Sequence, residues 1–376
     1  MPSPVFSAAR TTAPGLVPAS SDRTKAHQLP THEPLVAAVR DGLVESVHYG
    51  SAIAVAADGS TVASAGDPLA PFYPRSSLKP LQAVAMVRAG LQLPADLLAL
   101  AAASHSGAAG HREGALRILE LHGLSVSDFG NSSDLPYGMN EREEWLRNGG
   151  GATQLIQNCS GKHAAMAATC VINGWPVQGY LDPSHPLQQL VAETVRELTG
   201  EEPFALSTDG CGTPLFALTL RGMARAFGLI AHAAADSLAL NDDGGPAARS
   251  AEATVGLAMQ RHPEMVAGEG RDVTELMRLL PGSVAKDGFE GVQLVGLADG
   301  SAVAVKISDG GDRARMPATV KLLEKLSTSS KNGADSAPLS AIATAPVLGA
   351  GRQVGLLQAT DFLTQKSLST PVNEAP

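Results

Sequence analysis

Strand-like sequence is confined to the two ends of the chain, and nothing else limits its fold as much. From Leu35 the pattern turns β-like: Leu43 to His48 and Ser51 to Ala56 read as strands, and Asp58-Gly59 turns the chain into a third, Thr61 to Ser64. The device returns late, where Val292 to Leu297 and Ala302 to Ile307 flank Asp299-Gly300. Asp-Gly favours tight hairpins because both central residues of such a turn take positive φ. The two turns share Ala-Asp-Gly-Ser, a hairpin signal too common to argue for duplication.

Between the strand groups the chain reads as mostly helical. Pro80 to Ala89 ends at Gly90, a plausible C-cap, and helices are expected over Gly110 to His122, Lys162 to Asn173, Pro186 to Leu198, Pro214 to Phe227, Ala247 to Arg261 and Thr274 to Leu279. The expectation is an α/β (α+β) fold: one sheet formed by both chain ends, with a helical subdomain inserted. Residues 1–33 are rich in Pro, Ala, Ser and Thr without periodicity and read as a disordered tail. Residues 34–360 are expected as a single catalytic domain with sheet and helical subdomains, Ser327 to Ala337 as a flexible loop, and 361–376 as a flexible tail.

A net charge of -9 argues against nucleic acid, which needs clustered Lys and Arg to displace counterions, and against an anionic membrane surface. No stretch reaches the roughly 18 apolar residues of a membrane-spanning helix. Residues 1–33 have no apolar run of the secretory kind. Three cysteines, Cys159, Cys170 and Cys211, are not a disulfide framework, and reduced thiols point to the cytoplasm.

Four segments carry candidate chemistry. In Arg75-Ser76-Ser77-Leu78-Lys79-Pro80, Pro80 fits only in the first turn of a helix, so Ser76 sits at or just before a helix N-terminus. Ser76 and Lys79 are three apart and share a face. A serine needs a base to become a nucleophile, and a neutral lysine amine can serve if burial or a neighbouring cation lowers its pKa. Taken alone, S-x-x-K more often marks an N-capping Ser followed by a solvated Lys.

In the second segment, Asn158-Cys159-Ser160-Gly161-Lys162-His163 pairs with Asp209-Gly210-Cys211-Gly212-Thr213-Pro214. Each cysteine lies in a small polar turn before an expected helix, which suits metal ligation, redox pairing or nucleophilic catalysis. His163 reads as a histidine packed behind the ligands. In the third, Ser104 of Ala103-Ser104-His105-Ser106-Gly107 ends an apolar run and either faces a site or merely opens the loop. In the fourth, Gly268-Glu269-Gly270-Arg271 precedes Ala285-Lys286-Asp287-Gly288. There Lys286, in a Gly-flanked loop, is either a second catalytic lysine or a solvated one beside Asp287. Phosphate-cradle and H-E-x-x-H patterns are absent.

Read together, Y-P-R-S-S-L-K-P, A-S-H-S-G, N-C-S-G-K-H, T-D-G-C-G-T-P, R-H-P-E-M-V-A-G-E-G-R and the Lys286 loop resemble the rhizobial-type asparaginases, the asparaginase II family. The resemblance runs from about Leu35 to G-A-G-R-Q-V-G and is weakest over Ser125 to Asn148. It implies hydrolysis of L-asparagine to aspartate and ammonia on a serine β-lactamase/glutaminase-like fold. It further implies two Ser-Lys pairs, Ser76 with Lys79 and Ser104 with Lys286. A zinc site falls on Cys159, Lys162 and Cys211, and Arg75, His163 and Asp209 contact substrate or hold ligands. The family's members are typically homodimers. Two other readings stand beside it. A serine-dependent glutaminase or related amide hydrolase differs by a discrimination of only roughly 1–3 kcal/mol per methylene. A non-catalytic metal-binding module would be favoured by loss of a Ser or Lys from the pairs, and none is lost. Neither S-D-N nor K-T-G is present, which argues against a β-lactamase or penicillin-binding protein.

Overall fold

The strands at the two chain ends come together in one antiparallel sheet. In a computed structural model, which describes residues 29–239, 249–329 and 337–363, β1 (Glu33–Arg40), β2 (Leu43–Val55) and β3 (Thr61–Ala65) come first. A hairpin of β4 (Ala205–Thr208) and β5 (Pro214–Ala217) lies among the helices. After it come β6 (Val284–Gly288), β7 (Val292–Gly296), β8 (Ala302–Ile307), β9 (Thr344–Gly349) and β10 (Arg352–Ala359). The main sheet runs β6-β7-β8-β2-β1-β10-β9, with β3 also on β2. The described residues from Thr31 onward form one compact unit.

The chain folds as α+β, with the sheet drawn from both ends and the helices inserted, as its sequence pattern predicts. β2 is the hinge of that plan. Its first half, Leu43 to Gly50, pairs with β1, and its second half, Gly50 to Val55, pairs with β8. The sequence reading breaks this strand at Tyr49-Gly50, but the structure runs it through. A Cβ at Gly50 would lie 2.3 Å from the Lys306 carbonyl oxygen and 2.8 Å from Leu35 Cδ1. This glycine therefore marks a close backbone approach within a strand rather than its end.

The helices are α1 (Lys79–Arg88), α2 (Ala95–Ala101), α3 (Ala109–Leu121), α4 (Met139–Arg147), α5 (Ser160–Ile172), α6 (Pro186–Thr199), α7 (Leu220–Ala239), α8 (Ala251–Arg261), α9 (Pro263–Val266), α10 (Asp272–Leu279) and α11 (Arg315–Ser329). Strands β6 and β7 are buried at every residue, so both sheet faces are covered there; α7 and α11 both pack on β7, β8 and β2.

The helix expected over Pro214 to Phe227 is corrected. Pro214 to Ala217 form β5, paired with Thr208 to Ala205, and α7 starts at Leu220. Thr219 sets that start: its hydroxyl oxygen accepts from the Gly222 N–H at 3.0 Å while its own N–H donates to Glu201. The helix expected from Ala247 begins at Ala251 on the Ser250 cap, and residues 247–248 lie outside the described residues. Of the expected loop Ser327 to Ala337, Ser327 to Ser329 continue α11, and 330–336 lie outside the described residues. So do 1–28 and 364–376 of the two expected tails, while Glu33 already belongs to β1. Among the described residues no helix is long and apolar enough to cross a membrane.

Candidate active site

A 3-10 turn, Arg75–Leu78, runs directly into α1, with Pro80 in the first helical turn. Arg75 has φ 53, the left-handed region that non-glycine residues avoid. Such strain persists where the surroundings fix it. Here Arg75 Nε donates to Asp209 Oδ1 at 2.8 Å, and the guanidinium lies 5.3 Å from the centre of the Phe289 ring. The two serines of the turn then part company. Ser77 is fully buried and donates to the Pro74 carbonyl at 2.7 Å, whereas Ser76 keeps partial exposure.

Lys79 is buried, and its Nζ donates to the Ala103 carbonyl at 2.6 Å and to Ser104 Oγ at 2.8 Å. Ser104 lies in the loop between α2 and α3. That loop is strung on backbone bonds: Ser104 N to Val266 O, His105 N to Asn158 O, and Ser106 N to Ala267 O. It thereby joins the end of α9 to the approach of α5.

Lys286 is on β6, not in the loop expected for it, because Val284 to Gly288 pair with Gly296 to Val292. Strand β6 packs on the 3-10 turn so closely that a Cβ at Gly288 would stand 2.4 Å from the Pro74 carbonyl oxygen. Lys286 is wholly buried. Its Nζ donates to the Asp287 carbonyl at 2.9 Å and to Asp287 Oδ1. Burial brings its amine down to about 8, with Lys79 adding to the fall and Asp287 opposing it. The Asp287 carboxyl is held well below the usual range: burial opposes ionisation, but Lys286, Arg271 and Arg315 outweigh it. Arg271 Nη2 donates to Asp287 Oδ2 at 3.0 Å, and its guanidinium stacks 4.7 Å from the Tyr137 ring centre. The sequence pairing joins Ser104 with Lys286; in the structure Ser104 hydrogen-bonds Lys79, and Lys286 bonds Asp287.

Beside this group lies a second buried cluster. Cys159 caps the start of α5, Lys162 is in that helix's first turn, and Cys211 lies in the turn between β4 and β5. Lys162 Nζ donates to Cys211 Sγ and to Thr213 Oγ1, each at 3.0 Å. The Cys211 thiol is driven well down, first by its pairing with Cys159 and then by the charge of Lys162. Cys159, whose Sγ donates to Asn158 Oδ1 at 3.2 Å, is driven well up by the same pairing and by burial. Burial disfavours the Lys162 ammonium, yet Cys211, Cys159 and Asp209 raise its pKa. His163 is fully buried; its Nδ1 is 2.8 Å from the Tyr180 hydroxyl, and burial lowers it to about 4, so it is neutral at pH 7. Among the described residues no three His, Cys, Asp or Glu side chains converge on a point that could hold a metal ion; the cluster here is two cysteines and a lysine.

Sequence reasoning missed Asp287 as a partner rather than a neighbour of Lys286, gave Thr213 no role, and missed Tyr137 and Phe289 altogether. Arg271 and Thr213 fall inside segments it singled out, but no local spacing points to their contacts. Tyr137 falls in the segment where the resemblance is weakest.

None of the curated proteins compared with the chain matches it. A protein-family model described as L-asparaginase II matches residues 36–359, from the first strand of the sheet to the end of β10. With most of its length covered by that match, the chain belongs to the L-asparaginase II family and is a hydrolase acting on a small amide substrate.

Proposed function

We propose that the protein hydrolyses the side-chain amide of L-asparagine through an acyl-enzyme on Ser76, with Lys79 and Lys286 managing the protons. What supports this is Lys79, which follows Ser76 by three residues across the start of α1 and whose buried Nζ donates to Ser104 Oγ at 2.8 Å, with a second buried lysine, Lys286, close enough to feel its charge. Ser76 is the partly exposed hydroxyl of the turn, at a helix start that favours developing negative charge.

In the first half-reaction the Ser76 oxygen bonds to the side-chain carbonyl carbon as its proton passes to a neutral lysine amine. The C–N bond then breaks, and the proton goes to the departing ammonia. In the second half, water replaces the serine by the same proton route in reverse and aspartate leaves. An ordinary lysine is neutral in only about one molecule in 2,500 at pH 7, whereas an amine titrating near 8 is neutral in about one in ten. Arg75 and Asp209, opposite in charge and tied together beside Ser76, suit the carboxylate and ammonium of an amino-acid substrate.

Cys159, Cys211 and Lys162 are the residues that would hold a zinc ion, the two sulfurs as thiolates and Lys162 as a neutral amine. Such an ion would add positive charge near the lysines, disfavouring their protonation. A cytoplasmic setting suits three free buried cysteines. A homodimer is the assembly that the family resemblance suggests, and sedimentation would test it.

Ammonia release from asparagine and from glutamine decides the function. Wild type should favour asparagine, and Ser76→Ala should lose activity by several orders of magnitude while keeping its thermal midpoint. Equal turnover of glutamine would make the protein a broader amide hydrolase, and near-normal turnover by Ser76→Ala would move the nucleophile to Ser104.

A further inference from the structure

We propose that Arg271 is a positioning residue for the reaction: by sharing the Asp287 carboxylate with Lys286, it keeps Lys286 available as a neutral amine. The proposal rests on the reading of Lys286 as a base.

The carboxylate is divided between its two neighbours. Oδ1 takes Lys286 Nζ, and Oδ2 takes Arg271 Nη2 at 3.0 Å. A buried lysine facing an undivided carboxylate would be held as ammonium and could not accept a proton. Arg271 counters this twice, by neutralising Asp287 and by repelling an ammonium at Lys286. Its position is fixed by the Tyr137 ring, 4.7 Å from the guanidinium carbon. Its Nη1 lies buried without an acceptor among the described residues. A guanidinium held at that cost, beside one carboxylate, is there for its charge.

The other groups around Lys286 do not take over this role. On its own strand the facing group is Asp287, and from α1 it is Lys79. Arg315, from α11, also acts on Asp287, but its Nη2 donates to Asp272 at 2.9 Å and its Nε to Asp312 at 3.2 Å, so much of its charge is already matched. The Tyr137 phenol, on the segment before α4, is pushed upward by burial and by Asp287, away from the range in which Lys286 titrates.

The test is the pH profile of kcat/KM between pH 6 and 10, by ammonia release from asparagine, for wild type, Arg271→Gln and Arg271→Lys. Glutamine keeps a donor toward Asp287 without the charge; lysine keeps the charge. Wild type should show an acidic limb centred near 8. In Arg271→Gln the limb should move up by about one pH unit, a loss of about tenfold at pH 7, with the alkaline plateau recovered. Arg271→Lys should keep the limb within a few tenths of a unit. Tyr137→Leu, which leaves the guanidinium present but unsupported, should move the limb in the same direction by less; it decides the matter if Arg271→Gln does not fold. A limb that stays in place while kcat/KM falls equally at every pH overturns the proposal and makes Arg271 a structural or substrate-binding residue. A wild-type profile flat across the range instead removes Lys286 as the base, and the proposal with it.

Discussion

Gly288→Ala should damage catalysis far more than it damages the fold. The glycine ends β6, two residues beyond Lys286, where the strand meets the turn that carries Ser76. An added Cβ would stand 2.4 Å from the Pro74 carbonyl oxygen, 3.0 Å from Val292 Cβ and 3.4 Å from the Ser77 nitrogen. Carbon–oxygen contacts settle at about 3.3–3.6 Å, so strand and turn must part by roughly 1 Å, and backbone on both sides leaves no flexible side chain to absorb it. Overpacking of this kind costs about 1–3 kcal/mol of stability. A 1 Å misplacement of reacting groups costs on the order of a hundredfold in rate, and here it would widen the gap between Ser76 and Lys286 directly. Gly50→Ala is the control. Its Cβ would press equally hard on the Lys306 carbonyl oxygen, at 2.3 Å, but three strands away from β6, about 14 Å across the sheet. The assay is kcat/KM for ammonia release, normalised to folded protein, alongside urea unfolding. Gly50→Ala should lose similar stability and keep near wild-type kcat/KM. A Gly288→Ala enzyme with wild-type kcat/KM would refute the reasoning, because the strand–turn contact would then not set the geometry of the site.

Three further outcomes follow from the geometry. Ser77→Ala should lower stability by about 1 kcal/mol, since it removes the bond to the Pro74 carbonyl, while retaining most of its activity; a Ser77→Ala enzyme as dead as Ser76→Ala would reassign the nucleophile. The Lys286 amine falls from 10.5 to about 8 on folding, so between those values the unfolded chain holds more protons and stability should rise with pH, by about 3 kcal/mol in all; Lys286→Met should flatten that rise in urea midpoints measured from pH 7.5 to 10. The zinc proposed at Cys159, Lys162 and Cys211 should, by elemental analysis, vanish in Cys159→Ser and Cys211→Ser, survive in Cys170→Ser, and fall at low pH in wild type, because thiols and Lys162 must lose protons to bind; unchanged zinc in either of the first two variants would remove the site.

Local signals carried most of what the sequence disclosed. Asp58-Gly59 and Asp299-Gly300 announce their hairpins because a two-residue turn needs those residue types. Ser76 and Lys79 could be related because one helical turn fixes their spacing. Where reading failed, the deciding contact was distant or the local signal ambiguous. Gly50 reads as a break because the Lys306 carbonyl that excludes a side chain there belongs to a strand far along the chain. Pro214 reads as a helix start because a short apolar run fits strand and helix alike, and the actual cap, Thr219, is tied to Glu201. The bond from Lys79 to Ser104 and the division of Asp287 between Lys286 and Arg271 are products of the fold, and no periodicity encodes them.

The splitting of β2 between partners from opposite ends of the chain also dictates an order of assembly. As the protein emerges from the ribosome, Leu43 to Gly50 can close on β1 at once, and β3 can fold back onto the strand's far end. The other edge of Gly50 to Val55 waits for β8, and β1 waits for β10. Long-range pairing of this kind folds slowly and leaves nascent strand edges open to wrong partners. Ser76 and Lys79 are synthesised long before the strand that brings Lys286 against them, so a stalled or clipped nascent chain should carry the proposed nucleophile without the second lysine proposed to serve it. Amide hydrolysis would then switch on only when the last third of the chain has docked.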